Sequence, residues 1–218
     1  MEEKENFSNT NKENIERKFV SPDDPVLVRI AEEVSPSDIS SPETQAIIEK
    51  MLNIGYGEQA DRNKPILVGL AAPQIGISKR IILVDLASEG KGEIGDLRVY
   101  VNPEIVWKSQ EENEWYEGCF STDKVRGVVS RPNKIKIKAY TRKGELVEEE
   151  HEGYIARIFQ HEVDHLNGVE FTEHISDDSK LHWVEDEEMP EYRDKEKWRT
   201  WSKKCPRERW EQIKRVKK

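Results

Sequence analysis

His161-Glu162-Val163-Asp164-His165 sets two imidazoles four residues apart, with a carboxylate beside the first. On a helix, positions i and i+4 share a face, so both rings can reach one metal ion while Glu162 accepts a proton from the water activated there. Two imidazoles do not complete a hydrolytic site. A third protein ligand is needed, with one position left open for water. A metalloprotease pattern that continues to a histidine at position 171 is excluded, because Phe171 stands there. Two sources of the third ligand remain. One is the downstream acids Glu185, Glu187 and Glu188, which lie in a loose acidic run. The other is Cys119, upstream in Glu117-Gly118-Cys119-Phe120-Ser121, where a thiolate would join the two imidazoles.

These residues need a helix and at least one strand to hold them. From Tyr154 to Leu166, Ile155, Ile158, Phe159 and Val163 recur at helical spacing, and Gly168 is placed as a stop. The texture before that helix is mostly sheet. Arg80 to Asp85 is a short β-branched run, Arg98 to Val101 and Ile105 to Trp107 continue it, and Lys134 to Tyr140 alternates with period two before a turn at Thr141 to Gly144. Earlier, Pro25-Val26-Leu27 is predicted to be extended. A helix is predicted from Pro42 through Ile47, Ile48, Met51 and Leu52, ended by Gly55 and Gly57.

The chain has 218 residues and a formal net charge of -9, with 36% charged against 35% hydrophobic residues, so its core must be concentrated in part of the length. Residues 1 to 18 hold few large apolar side chains and are predicted to be a disordered arm. Residues 177 to 218 are predicted to be a charged extension, partly helical. Seven acids and two bases lie in Glu185 to Glu196, then ten bases and two acids in Lys197 to Lys218. Four of the six tryptophans, Trp183, Trp198, Trp201 and Trp210, lie there too, and their spacing would let helical segments dock on the body. No run approaches the roughly 18 apolar residues of a membrane span. The acidic start, Met1-Glu2-Glu3-Lys4-Glu5-Asn6, is unlike a secretory or transit leader, so a cytoplasmic location is expected. Two cysteines cannot build a disulfide framework, and Cys205, amid bases, is expected to be a free thiol.

Three segments in order, Gly69-Leu70-Ala71-Ala72-Pro73-Gln74-Ile75-Gly76, Glu117-Gly118-Cys119-Phe120-Ser121 and Gln160-His161-Glu162-Val163-Asp164-His165-Leu166, resemble the motifs of peptide deformylases. Asp24-Pro25-Val26-Leu27 is similar to the family's early segment, and the resemblance covers about Val20 to Ile175. It implies an α+β fold, with mostly antiparallel sheets packed around the helix that carries the metal motif, and a catalytic domain over residues 19 to 176. The implied activity is removal of the formyl group from N-terminal formylmethionine of nascent peptides by attack of metal hydroxide. Cys119, His161 and His165 would hold one divalent ion, and Glu162 would be the general base and then acid. The Gln74 side chain and the Phe120 backbone N–H would stabilise the oxyanion.

By the same resemblance, the backbones around Val68, Gly69 and Gly118 would pair with an extended N-formylmethionyl peptide. Val68, Trp115, Tyr154 and Ile158 would line its methionine pocket, which the bulk of Trp115 and Tyr154 would make shallow. Arg126 would sit at the mouth, Glu117 and Arg131 would form a bracing ion pair, and Asp164 would brace a neighbour of the metal ligands. Leu67 departs from the family's first motif glycine, which implies an altered local turn. The donor set accepts iron(II), zinc, nickel and cobalt(II), and the resemblance favours iron(II). Two alternatives stand beside this reading: a metalloprotease or amidase with another third ligand, and a catalytically silent deformylase-like binding module. No DNA or membrane partner is expected, and the basic C-terminal segment would make at most a salt-sensitive ribosome contact.

Overall fold

Alternation along Lys134 to Tyr140 buries Ile135, Ile137 and Ala139 and turns the lysines outward, which is the period of a strand with one wet face. The computed structural model describes residues 19–60, 66–90 and 93–216, so the arm expected over residues 1–18 lies outside the described part. In chain order the main elements are α1 (Pro42–Ala60), β1 (Gly69–Ala71), β2 (Ile81–Asp85), β3 (Leu97–Lys108), β4 (Glu112–Gly118), β5 (Val125–Pro132), β6 (Lys134–Tyr140), β7 (Leu146–Glu152) and α2 (Gly153–Leu166). They are followed by β8 (Leu181–Trp183), α3 (Met189–Tyr192), α4 (Lys195–Arg199) and α5 (Arg207–Val216).

The strands form two antiparallel sheets, one in the order β1-β2-β3-β6-β7 and one in the order β4-β5-β8. This is the α+β architecture expected, and α2 lies at its centre against β1, β2, β5 and β7. Ile158, Phe159, Val163 and Leu166 of α2 pack on Ile82, Val84, Ile135 and Ile137 of the large sheet. The stripe that the sequence spacing marks as apolar is therefore the buried one. On the other side of that sheet, Ile48, Met51 and Leu52 of α1 pack with Leu67, Leu70 and Leu83.

Two local expectations are corrected. Pro25–Val28 is a 3₁₀ turn and not extended: Asp24 accepts from the Val26 N–H at 2.9 Å, and Pro25 suits the first helical position. Helix α1 does not stop at Gly55 or Gly57 but continues to Ala60. The extra turn brings Gln59 to the Leu67 carbonyl at 3.0 Å and to Asp85 at 2.6 Å, and these buried bonds outweigh the low helix propensity of two glycines. Leu67 itself is fully buried in the core under α1, while β1 pairs regularly with β2 from Gly69. The substitution for glycine is thus absorbed by packing.

The segment after residue 176 is built into the body. β8 extends the smaller sheet through Val125↔Trp183 and Gly127↔Leu181. Trp198, on α4, is fully buried against Trp115 and Tyr116 at ring-centroid distances of 6.4 Å each. Trp210, on α5, is buried with Val125, Val129, Phe171 and Cys205. Trp201 follows α4 and is buried edge-on against Tyr192 at 5.2 Å. Such rings bury enough apolar surface to hold a segment whose average composition is strongly polar.

Candidate active site

Helix α2 brings His161 and His165 to one face, their ring centroids 5.0 Å apart. Cys119 follows the last residue of β4 and opens a short turn, Phe120–Thr122, directed at that face. Its Sγ lies 3.2 Å from His165 Nε2, and the ligand atoms of Cys119, His161 and His165 all fall within 4.8 Å of one another. One soft sulfur and two ring nitrogens converging in this way fit a single divalent ion. Burial pushes the Cys119 thiol up, but the two imidazoles outweigh it and hold it well below the ordinary thiol value, so the ligand form of the sulfur is favoured.

The rings are oriented from behind. His161 Nδ1 lies 2.9 Å from Glu117 Oε2, which leaves its Nε2 for the shared centre. Glu117 is buried, which alone would raise its pKa, yet Arg131 beside it holds the carboxyl well below its usual range. Arg131 meets Glu117 at 2.6 and 2.9 Å, and Arg157 adds a bond at 2.7 Å. Arg131 also reaches Asp164 at 2.7 Å, and Asp164 meets His174 at 2.8 Å. The ion pair and the bracing acid implied by the sequence are both present in the geometry.

Glu162 is buried next to the three ligands, and its Oε2 has no hydrogen-bond partner among the described residues. Burial, partly offset by the imidazoles, raises its pKa to about 7, the range in which a carboxyl both accepts and returns a proton. Gln74 is fixed at both ends of its amide. Oε1 accepts from the Ala71 N–H at 2.7 Å, and Nε2 donates to Cys119 Sγ at 3.0 Å. Two glycines make room for this packing. A Cβ on Gly69 would collide with Glu162 Oε1 and lie 2.8 Å from Ile158 Cγ2, and one on Gly118 would run into the Arg126 side chain.

A cleft of about 370 Å³ opens over the site, lined by Val68, Gly69, Gln74, Gly118, Cys119, Phe120, Arg126, Tyr154, Ile158, His161 and Glu162 among others. All but two of the residues marked for catalysis, peptide binding or metal binding line it. His165 is buried behind Cys119, and Trp115 is off the lining, packed edge-on behind Tyr154 at 6.5 Å. Trp115 therefore shapes the pocket through Tyr154. Arg126 lines the cleft with its guanidinium donating to the Val125 carbonyl at 2.9 Å and to the Asp123 carbonyl. Phe120 stacks on Phe19 at 4.6 Å. The downstream acids are elsewhere. Glu185 pairs with Lys124 and Glu188 with Lys203, and neither belongs to the metal-competent group. Cys205 is a buried free thiol outside that group.

Sequence reasoning missed Arg157, Tyr116, Asp186, Met189 and Arg193, all of which line the cleft. A signal existed for Arg157. It lies one turn before His161 on the same face of the helix, where a charge turned inward needs a buried acid. The three residues after position 181 had no motif to mark them.

A family model described as polypeptide deformylase matches residues 16–181. The chain is 39% identical over 152 residues to a peptide deformylase of Phenylobacterium zucineum, covering 70% of this chain and 83% of the relative. It is 41% identical over 155 residues to one of Natranaerobius thermophilus, covering 71% and 89%. A Met-Ala-Ser-bound class I type b peptide deformylase of Acinetobacter baumannii superposes with a TM-score of 0.63 at 38% identity, covering 72% of this chain and 96% of that one. A peptide deformylase of Legionella pneumophila gives 0.63 at 36% identity, covering 73% and 86%.

Proposed function

The chain belongs to the peptide deformylase family and removes the formyl group from nascent peptides, and from that premise we propose that Cys119, His161 and His165 hold the divalent ion on which this metal-dependent family relies. The observation that carries the assignment is the convergence of these three ligand atoms within 4.8 Å at the floor of a cleft that also holds Glu162 and Gln74. When bound, such an ion supplies Lewis acidity that brings water ionisation toward neutral pH and polarises the formyl carbonyl. Iron(II) is the ion we assign in the cell.

The remaining work falls to the chain itself. Glu162 takes a proton from the attacking water as the O–C bond forms, then passes it to the amine nitrogen as the C–N bond breaks. Formate and a free N-terminus result. The formyl oxygen gains charge at the tetrahedral carbon, and the Phe120 backbone N–H and the Gln74 amide are its donors. Gln74 Nε2 carries two hydrogens, one of them directed at Cys119 Sγ, so the other can serve the oxyanion. One such donor is typically worth about 3 to 4 kcal/mol of barrier.

Both β1 and β4 are edge strands of their sheets, which supports insertion of the peptide as a strand paired to Val68, Gly69 and Gly118. Val68, Tyr154 and Ile158 take the methionine side chain, with Trp115 backing Tyr154, and Arg126 faces the peptide from the opposite wall. We assign residues 19–176 to catalysis and residues 177–218 to a supporting extension. The work is placed in the cytoplasm, where nascent chains emerge, and no helix among the described residues is long and apolar enough to cross a membrane. A salt-sensitive ribosome contact is assigned to residues 197–218, to be tested by co-sedimentation of the full chain with ribosomes across a salt series.

The test of the whole reading is formate release from formyl-Met-Ala-Ser by metal-replete protein, with the metal counted in the same sample. Turnover that disappears in Glu162→Gln is expected. A metal-loaded but inert protein would instead make it a silent binding module.

A further inference from the structure

The cleft has a wall from outside the family-matched segment, which ends at residue 181: Asp186, Met189 and Arg193 all line it. This wall is firmly seated. Met189 is buried with Val128, Val184, Tyr192, Trp198 and Trp201, and the Tyr192 hydroxyl lies 2.8 Å from His182 Nδ1. The Val184 N–H donates to the Lys124 carbonyl at 3.0 Å, which ties the wall to the start of β5.

The charges on the cleft surface are not equivalent. Arg157 is saturated by Glu117, Asn113 and the Val129 carbonyl. Arg126 spends donors on two backbone carbonyls and has Asp123 beside it. Asp186 is neutralised by Lys124 at 2.8 Å. Arg193 differs: it is exposed, lies beside the Tyr116 hydroxyl, and has no carboxylate within ion-pair distance among the described residues. A guanidinium left in this state at the edge of a peptide cleft attracts carboxylates, and its planar fork suits them.

We propose that Arg193, carried on the docked C-terminal extension, is a specificity-determining residue that favours formylated peptides with an acidic side chain in the first residues after the methionine. The inference rests on the deformylase reading and adds to it a substrate preference encoded outside the family core. A partly solvated charge pair of this kind gives a modest effect, about three- to five-fold in kcat/KM at low salt.

The experiment compares kcat/KM for formyl-Met-Ala-Glu, formyl-Met-Glu-Ser, formyl-Met-Ala-Ser and formyl-Met-Ala-Lys, using the full chain and the variants Arg193→Ala and Arg193→Glu. The acidic peptides are expected to lead in the wild type, to lose their lead in Arg193→Ala and to trail the lysine peptide in Arg193→Glu. Equal rates in the wild type, or an acidic preference that survives Arg193→Glu, overturns the inference while leaving the deformylase reading intact. Absence of turnover on formyl-Met-Ala-Ser sinks that reading instead. Calorimetric binding of Met-Ala-Glu against Met-Ala-Lys then decides the wall separately: tighter binding of the acidic peptide, lost in Arg193→Ala, supports it, and equal binding overturns it.

Discussion

His161 Nδ1 and Glu117 Oε2 lie 2.9 Å apart, and the same carboxylate is held by guanidinium groups from Arg131 and Arg157. The imidazole is thus aimed by an acid that is itself clamped from two sides. Glu117→Gln keeps the shape but removes the charge that both arginines and the ring depend on. Metal affinity is expected to fall about 10- to 100-fold, the usual effect of losing an orienting partner, and a chelator titration against wild type measures it. Stability should fall as well, because two buried cations lose their shared counter-ion.

Cys119→Ser discriminates the ligand set from its rival. A hydroxyl is a far poorer ligand than a thiolate for the soft end of the first-row metals, so bound iron, zinc or nickel should drop sharply on dialysis, together with formate release. Retention of one ion per chain in that variant would favour a carboxylate third ligand. The pairing of Glu185 with Lys124 and of Glu188 with Lys203 argues against that outcome.

Gly69→Ala tests how tightly the general base is seated. The added methyl would occupy the space of Glu162 Oε1 and press on Ile158 Cγ2 at 2.8 Å, while β1 keeps its pairing with β2. A displaced base should cost about 100-fold in kcat or more, with little change in metal content. Steady-state kinetics and metal analysis on one preparation would show it, and a kcat within about two-fold of wild type would mean that the base moves without consequence.

The histidine pair was legible because it carries its own geometry: two histidines at i and i+4 on a helix share a face, whereas Cys119 was marked over the downstream acids Glu185, Glu187 and Glu188 only through the resemblance to peptide deformylases. Strands such as Lys134 to Tyr140 were legible through their alternation. What stayed hidden was decided by distant partners. Helix α1 passes through Gly55 and Gly57 because Gln59 has a buried acid and a carbonyl to reach, 26 and 8 residues away in sequence. Trp115 looked like a pocket residue until Trp198, from the far end of the chain, packed against it. Arg193 carries no local pattern at all, and only the docking of the extension brings it to the cleft.

That docking has a measurable anchor. Trp198 is fully buried among Trp115, Tyr116 and the apolar residues around Met189. Trp198→Ala should destabilise the protein by about 3 to 5 kcal/mol, read from denaturant unfolding of the metal-loaded chain. A change below about 1 kcal/mol would mean that the extension is held elsewhere, and the wall it gives the cleft would then be loosely placed.

His182 gives the extension a pH dependence whose sign can be worked out. Its ring is buried on β8, with the Tyr192 hydroxyl 2.8 Å from Nδ1, Lys204 Nζ 3.1 Å from Nε2, and Arg126 as its neighbour across the sheet. Burial, reinforced by the Lys204 charge, lowers its pKa from 6.5 to about 4. Between those values the unfolded chain binds a proton that the folded chain refuses, so stability rises with pH through this window. The contribution is complete above about pH 6.5 and is lost as the pH falls toward about 4. It amounts to roughly 2 kcal/mol once the solvent near Lys204 is allowed for. His182→Asn keeps a polar side chain without the titration. The difference in unfolding free energy between wild type and this variant should therefore shrink steadily from pH 7 to pH 4, and a difference that stays constant across that range would show that the imidazole titrates alike in the folded and the unfolded chain.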